Sequence, residues 1–412
     1  MNNKKLITLF LLLCTVQLHS QVNLNYQQIT TADGLSQGLV FDIIQSRDGF
    51  VWIGTKDGLN RYDGSRFKVF SPDLFDPFSI AEGYIYHLYE DSRGWIWLQF
   101  ANGTDVLDPK SGRFFHLMKE GQPVVSALFE DHSDGTIWCL PGGDRLLKFS
   151  ISRDMLEKAF QQGNANIEPP CKTYSLPAIK DASGRSIRAN SLLFTQKYKP
   201  LVATSRGLRR LNQDSEKMDL MGYATSNINR LAQDPEGKIW MDVHDENPDK
   251  TNASRTIIWD EQAGMQQGQI LPGVYYEWWT FNGALWIIRN NTLKKYQPQK
   301  YLNKEPADIE WPIEAFFPQH EQGRITSLFL DQSGMLWVGT DGFGIFKINT
   351  QNPTFREYLP NISQRKIFET PEGKFVTSAG PGKLYQSVYF DQSTPDQSLS
   401  SQIGRASCRE RV

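Results

Sequence analysis

Two acidic pairs, Glu90-Asp91 and Glu130-Asp131, are the residues of this chain best suited to moving protons, because neighbouring carboxylates are what general acid–base catalysis uses. His87, His132 and His244 are the histidines that could ligate a metal or act as a base. Neither set keeps the spacing this chemistry needs. Both acidic pairs fall at the same point of a recurring pattern, just before a glycine turn, and are read as turn residues first. The three histidines have no ligand-like spacing, and the sequence has neither a metal-binding loop motif nor a phosphate-binding glycine loop. No catalytic residue, metal or cofactor is expected.

The elements that position these side chains are strands. An alternating apolar strand, a turn ending in Gly, a strand carrying Trp, a second glycine turn and another strand recur along the chain. The clearest copy runs from Phe41 to Leu59, with Asp48-Gly49 in the turn and Trp52 on the next strand. Trp97, Trp138, Trp240, Trp286 and Trp337 hold the same place in later copies; Val202 and Phe375 hold it in two degenerate ones. A repeat of about 40 to 50 residues with four short strands is a propeller blade. One blade has no core of its own, so the Trp fills the space between neighbours. The Asp bonds its own turn, the Gly takes positive φ, and the Gly-Thr after the Trp admits the next backbone closely.

The fold expected is therefore all-β: a seven-bladed β-propeller of four-stranded antiparallel blades over 21–359, then the start of a second propeller over 360–402. The strand at 24–29 is expected to complete the seventh blade and close the ring. Between blades three and four, Ser152 caps a helix over Arg153 to Gln162, stopped by Gly163 and packed on the surface through Met155, Leu156, Ala159 and Phe160. Cys139 and Cys171 fall two strands apart in blade three, about 10 Å, beyond disulfide reach, so two free thiols are expected.

The chain ends read differently. Lys4 and Lys5 precede the apolar run Leu6 to Leu13, and a polar stretch ends at Ser20, which is the pattern of a signal peptide over 1–20. A lipid anchor on Cys14 would need a small residue where Leu13 stands. Residues 403–412 resemble the translation of a sequencing adapter, which places the natural end of the protein further downstream. The 412 residues carry a net charge of −2 with both signs interspersed, which argues against a nucleic-acid surface.

The start Asp33-Gly34-Leu35-Ser36-Gln37-Gly38, followed by Arg47-Asp48-Gly49-Phe50-Val51-Trp52-Ile53-Gly54-Thr55, closely resembles the two-component regulator propeller repeat. Blades four and eight depart from that repeat by lacking Trp, and blade six by lacking the Asp. The resemblance implies the sensor half of a hybrid histidine kinase of Bacteroidetes. Such proteins carry two propellers, an immunoglobulin-like linker, a membrane span and a cytoplasmic kinase. It also implies a homodimer that meets the membrane only through downstream regions. None of the six histidines lies in a kinase-like helix.

Ligand binding is the function expected of the propeller itself. Aligned inner strands place His87, Asn190, Asn229, Arg230, Tyr275 and Tyr276 near the channel mouth, where rings and a guanidinium can stack on and bond a sugar. Each of these residues also suits plain packing between blades. The expectation is a periplasmic input module, without catalysis of its own, that receives an oligosaccharide or other periplasmic ligand. Two other classes stay open: a secreted propeller enzyme acting on polysaccharide, and a non-catalytic interaction scaffold.

Overall fold

The computed structural model describes residues 26–180, 184–234, 236–245, 254–265, 268–272, 278–281, 283–317, 323–350, 366–369, 375–378, 384–388 and 392–395. The proposed signal peptide and the 403–412 tail lie outside the described residues. A first strand, β1 (Tyr26–Ile29), precedes blade one, which is β2 (Val40–Gln45), β3 (Val51–Thr55), β4 (Leu59–Tyr62) and β5 (Phe67–Phe70). Blade two is β6 (His87–Glu90), β7 (Ile96–Gln99), β8 (Thr104–Asp108) and β9 (Arg113–Lys119), extended by β10 (Gln122–Pro123). Blade three is β11 (Ala127–Asp131), β12 (Thr136–Leu140) and β13 (Arg145–Phe149); after helix α1 (Arg153–Gln161) and β14 (Asn166–Ile167) it ends with β15 (Cys171–Ser175). Blade four is β16 (Ala189–Leu193), β17 (Leu201–Thr204), β18 (Gly207–Asn212) and β19 (Lys217–Gly222). Blade five is β20 (Ser226–Gln233), β21 (Lys238–Asp245), β22 (Ser254–Asp260) and β23 (Gln269–Pro272). Blade six is β24 (Trp278–Phe281), β25 (Ala284–Arg289), β26 (Thr292–Tyr296) and, after helix α2 (Pro298–Leu302), β27 (Ile309–Pro312). Blade seven is β28 (Ile325–Leu330), β29 (Met335–Thr340) and β30 (Ile345–Asn349), and its outer strand is β1.

The seven-bladed all-β propeller expected from the repeat is the fold observed. Strand β1 runs antiparallel to β30, with Tyr26 opposite Ile348 and Ile29 opposite Ile345. The seam is locked from several sides. Thr326 Oγ1 donates to the Val40 carbonyl at 2.5 Å, and the Gln332 amide to Gln45 Oε1 at 2.9 Å. The Gly344 amide donates to the Gly38 carbonyl at 2.9 Å. A Cβ on Gly344, whose φ is +78°, would sit 2.1 Å from the Ile29 carbonyl oxygen, so only glycine fits. The segment between β1 and β2 is fixed too: Asp33 accepts from the Thr30 amide at 2.8 Å, Leu35 is buried, and the Ser36 amide donates to Asn60 Oδ1 at 2.8 Å.

The repeat Asp does more than close its turn. Asp331 Oδ1 accepts the Ser333 and Met335 amides, both at 2.9 Å, while Oδ2 accepts the indole N–H of Trp337 at 2.8 Å. Asp91 does the same for Trp97 at 3.0 Å and Asp234 for Trp240 at 2.9 Å; in blade one Ser46 takes the Trp52 indole at 2.9 Å. In blade three an extra turn residue moves Asp131 one position further from Trp138. In blade six the turn has no Asp. The buried indole N–H groups of Trp138 and Trp286 consequently have no partner among the described residues.

The preceding acidic or amide residue reaches the neighbouring blade. Glu90 accepts the Arg47 amide of blade one at 3.1 Å, and Glu130 accepts the Ser92 amide of blade two at 2.9 Å. Glu130 also accepts the Tyr89 hydroxyl at 3.0 Å and faces His132 Nδ1 at 3.1 Å. The acidic pairs are thus mortar: Glu90 and Glu130 tie their blade to its neighbour, while Asp91 seats Trp97 and Asp131 holds only its turn.

A second regularity runs opposite the tryptophans. The third-strand residue beside each indole is often a cation: Lys148 lies 5.4 Å from the Trp138 ring, Lys295 5.6 Å from Trp286, and Lys347 4.9 Å from Trp337. Blade four keeps the cation, Arg209, but has Val202 opposite it. Arg209 is buried with an unpartnered Nε, and burial lowers its pKa.

Helix α1 forms as expected. Ser152 Oγ accepts the Met155 amide at 3.3 Å, Leu156 and Ala159 are buried, and Gly163 follows at φ +67°. Cys139 on β12 and Cys171 on β15 are separated by β13, and both are free; burial pushes the Cys139 thiol up to about 12. Residues 350–412 form a separate unit. It contains one antiparallel sheet of β31 (Lys366–Glu369), β32 (Phe375–Ser378), β33 (Leu384–Val388) and β34 (Gln392–Pro395), with Phe375 opening the second strand.

Replacing Asp331 with Ala strands a buried indole and two turn amides, and is expected to lower the unfolding free energy by about 2–4 kcal/mol. Asp131→Ala, whose carboxylate holds only the Ser133 amide and hydroxyl, should cost clearly less. Urea denaturation of both variants checks the difference; equal losses would contradict the role given to the Asp–Trp bond.

Candidate functional site

Each inner strand begins on the face that carries the connections from one blade to the next. Four of them begin with a bulge. The pairing register shifts between Val40 and Asp42, Ala189 and Ser191, Ile228 and Arg230, and Ile325 and Ser327. The extra residues are Phe41, Asn190, Asn229 and Thr326. A bulge leaves a residue unpaired and re-aims its side chain, which supplies this end of the channel with side chains the ladder alone would not present.

The next residue on each strand forms a second layer. It lies opposite the position two beyond the repeat Trp: Asp42 opposite Gly54, His87 opposite Gln99, Ala127 opposite Leu140, Arg230 opposite Asp242 and Ser327 opposite Gly339; in blade four Ser191 lies opposite Ala203, one beyond Val202. The glycines there have a packing reason. A Cβ on Gly54 would lie 2.9 Å from the Ile85 side chain, and one on Gly339 2.9 Å from Val40.

Of the six residues expected at the mouth, His87, Asn190, Asn229 and Arg230 stand on the inner strands β6, β16 and β20. His87 Nδ1 lies 2.5 Å from Asp42 Oδ2 with its side chain 55% exposed. Asn190 Nδ2 donates to Asn227 Oδ1 at 2.8 Å and to the Ile228 carbonyl at 2.7 Å, and Asn227 Nδ2 donates to Asn229 Oδ1 at 2.9 Å. Arg230 follows Asn229 directly. Tyr275 and Tyr276 lie outside the described residues. The structure joins Asn190 to Asn229 in one amide chain across blades four and five, and sets His87 with Asp42 on blades one and two. Asp42 and Asn227 were missed by the sequence reading. Their roles depend on the bulges, and nothing in the repeat pattern signals a bulge.

Blades two and five stand across the channel from each other, and their charges interact. The Asp42 carboxylate raises the His87 pKa above its ordinary value, against the opposing effects of burial and of the Arg230 charge. Burial lowers the Arg230 pKa, with Asp242 acting the other way. The mouth therefore offers a cationic group on each side, each with an acid beside it, and an amide ladder between blades four and five. Such a set can donate and accept many hydrogen bonds without a large net charge. Among the described residues, no group of three or more His, Cys, Asp or Glu side chains is arranged to hold a metal ion.

A ring titration of His87 by NMR should give a midpoint above the ordinary imidazole value, and Asp42→Asn should bring it down. Because the folded-state pKa is raised, the stability from this pair is fully present below the unfolded value and is lost as pH rises through the folded one. A midpoint at or below the ordinary value would contradict the pairing.

Comparison with known proteins adds the following. The model of the two component regulator propeller family matches residues 34–57 and 321–342, which include the first two strands of blade one and of blade seven. A histidine kinase of Formosa agariphila is 44% identical over 59 residues, which is 14% of this chain and 4% of that protein. The extracellular domain of a hybrid two component system from B. thetaiotaomicron has the same fold, with a TM-score of 0.57 at 17% identity over 90% of this chain and 49% of that one. A second such domain from the same organism gives a TM-score of 0.54 at 16% identity, over 90% of this chain and 47% of that one. The chain spans about half the length of these solved relatives. The matched repeats and the shared fold lead to one conclusion: residues 26–349 form a seven-bladed propeller, two of whose blades match the two component regulator propeller model.

Proposed function

We propose that this propeller is the exported, ligand-sensing part of a two-component signalling protein and that its channel mouth receives an oligosaccharide. The observation that carries the reading is the mouth itself. The starts of the inner strands bring together His87 with Asp42, and Asn190 with Asn227 and Asn229 beside Arg230, a dense set of donors and acceptors with balanced charge. Polyhydroxylated ligands are recognised by such convergent polar groups in a concave site. The resemblance of 1–20 to a signal peptide supports a periplasmic location. The acidic pairs that could have served catalysis are occupied by turn amides, tyrosine and tryptophan, which supports sensing over turnover.

In the full-length protein a ligand would bias a homodimer between two arrangements and so set the activity of a kinase across the membrane. Two of the structural relatives are extracellular domains of hybrid two component systems, which agrees with this assignment.

The test is a glycan array probed with the purified chain, followed by product analysis of any glycan bound. Binding without cleavage is expected, and Asn229→Ala should weaken it by about tenfold through loss of the amide bonds. Cleavage of a bound glycan would overturn the sensing role in favour of an enzyme.

A further inference from the structure

We propose that Phe41, Tyr84 and Tyr86 form a stacking subsite at the channel mouth, and that it takes the apolar face of an uncharged hexopyranose ring. The inference rests on the glycan reading above and adds to it the residues that hold the sugar face and the charge class of the sugar.

The three rings come from two blades. Phe41 is the bulged residue of β2. Tyr84 and Tyr86 flank the buried Ile85 in the stretch that leads into β6. Phe41 and Tyr84 have ring centroids 4.7 Å apart at 34°, Phe41 and Tyr86 5.5 Å at 50°, and Tyr84 and Tyr86 4.7 Å at 48°. Rings tilted in this way make a cup rather than a closed stack. Tyr86 is 44% exposed, so part of the cup is open to solvent.

Some other partly exposed rings of the propeller have a cation over them: Arg113 covers Phe160 and Arg255 covers Tyr223. Among the described residues no cation lies over Phe41, Tyr84 or Tyr86, so their electron-rich faces are available to the C–H groups of a sugar. Neither tyrosine hydroxyl bonds to another described residue, whereas Tyr62 and Tyr89 spend theirs on Gly64 and Glu130. The cup is held by backbone: the Ile85 amide donates to the Thr55 carbonyl at 3.0 Å and the Tyr86 amide to the Gln99 carbonyl at 2.9 Å. Little ordering is left to occur on binding. The adjoining ionisable groups, His87 and Asp42, pair with each other. An uncharged ring meets no unbalanced charge there, while an anionic one would have no free cation left to it on the side of the cup.

The experiment is calorimetry of the full chain with maltohexaose, cellohexaose, mannohexaose and hexagalacturonate, repeated on variants whose fold is verified by circular dichroism and melting temperature. At least one neutral hexasaccharide should bind. Tyr84→Ala and Tyr86→Ala should each weaken it by about tenfold, and Tyr86→Phe, which keeps the ring, by less than about threefold. Tyr86→Leu, which keeps apolar bulk without a π face, should behave like the Ala variant. Ring variants that bind like the wild type while Asn229→Ala binds more weakly would overturn the subsite and leave the glycan reading standing. Tyr86→Phe as damaging as Tyr86→Ala would replace stacking with hydroxyl recognition. Tighter binding of hexagalacturonate than of every neutral sugar would overturn the charge class. Absence of binding by all four would remove subsite and glycan reading together.

Discussion

The indole of each repeat tryptophan is wedged between two blades, where its N–H has no water to bond. A buried donor without an acceptor costs roughly 1–3 kcal/mol, so the acceptor must come from the same repeat. The Asp of the first turn fills that need when it stands six residues before the Trp, as in blades two, five and seven. One carboxylate then fixes the turn through Oδ1 and the inter-blade wedge through Oδ2. Turn geometry, strand register and blade packing are set by a single side chain, and among the described residues the repeat tryptophans without an Asp or Ser at that spacing, Trp138 and Trp286, are the ones whose indoles are left unpaired.

The same economy explains what was legible in the sequence. The Trp positions, the Asp-Gly turns and the Gly-Thr steps recur, so blade number, the closing role of the strand before Gly34 and the separation of Cys139 from Cys171 could be read directly. The dual bonding of Asp331 could not, because the turn role alone already accounts for an Asp there. The cap at Ser152 and the stop at Gly163 were legible because both are local.

The mouth was legible only in part. Period-two alternation identifies which residues lie on an inner strand, and it led to His87, Asn190, Asn229 and Arg230. A bulge adds one residue and reverses that alternation, and no local signal in Val40-Phe41-Asp42 or Ile228-Asn229-Arg230 announces it. Tyr84-Ile85-Tyr86-His87 does alternate, so an inner strand extended toward its start could have been inferred from those residues. Partners across the ring, such as His87 and Arg230, become neighbours only when all seven blades are in place.

Closure is therefore the claim on which fold and site both rest, since the mouth exists only if β1 completes blade seven and holds β2 against β28. Native-state hydrogen exchange measures it directly. The amides joining β1 to β30 should exchange with the same opening free energy as those joining β29 to β30, because both belong to one cooperative ring. Exchange at Tyr26 to Ile29 as fast as in a free peptide, with β28 to β30 still protected, would show an open ring and contradict the account.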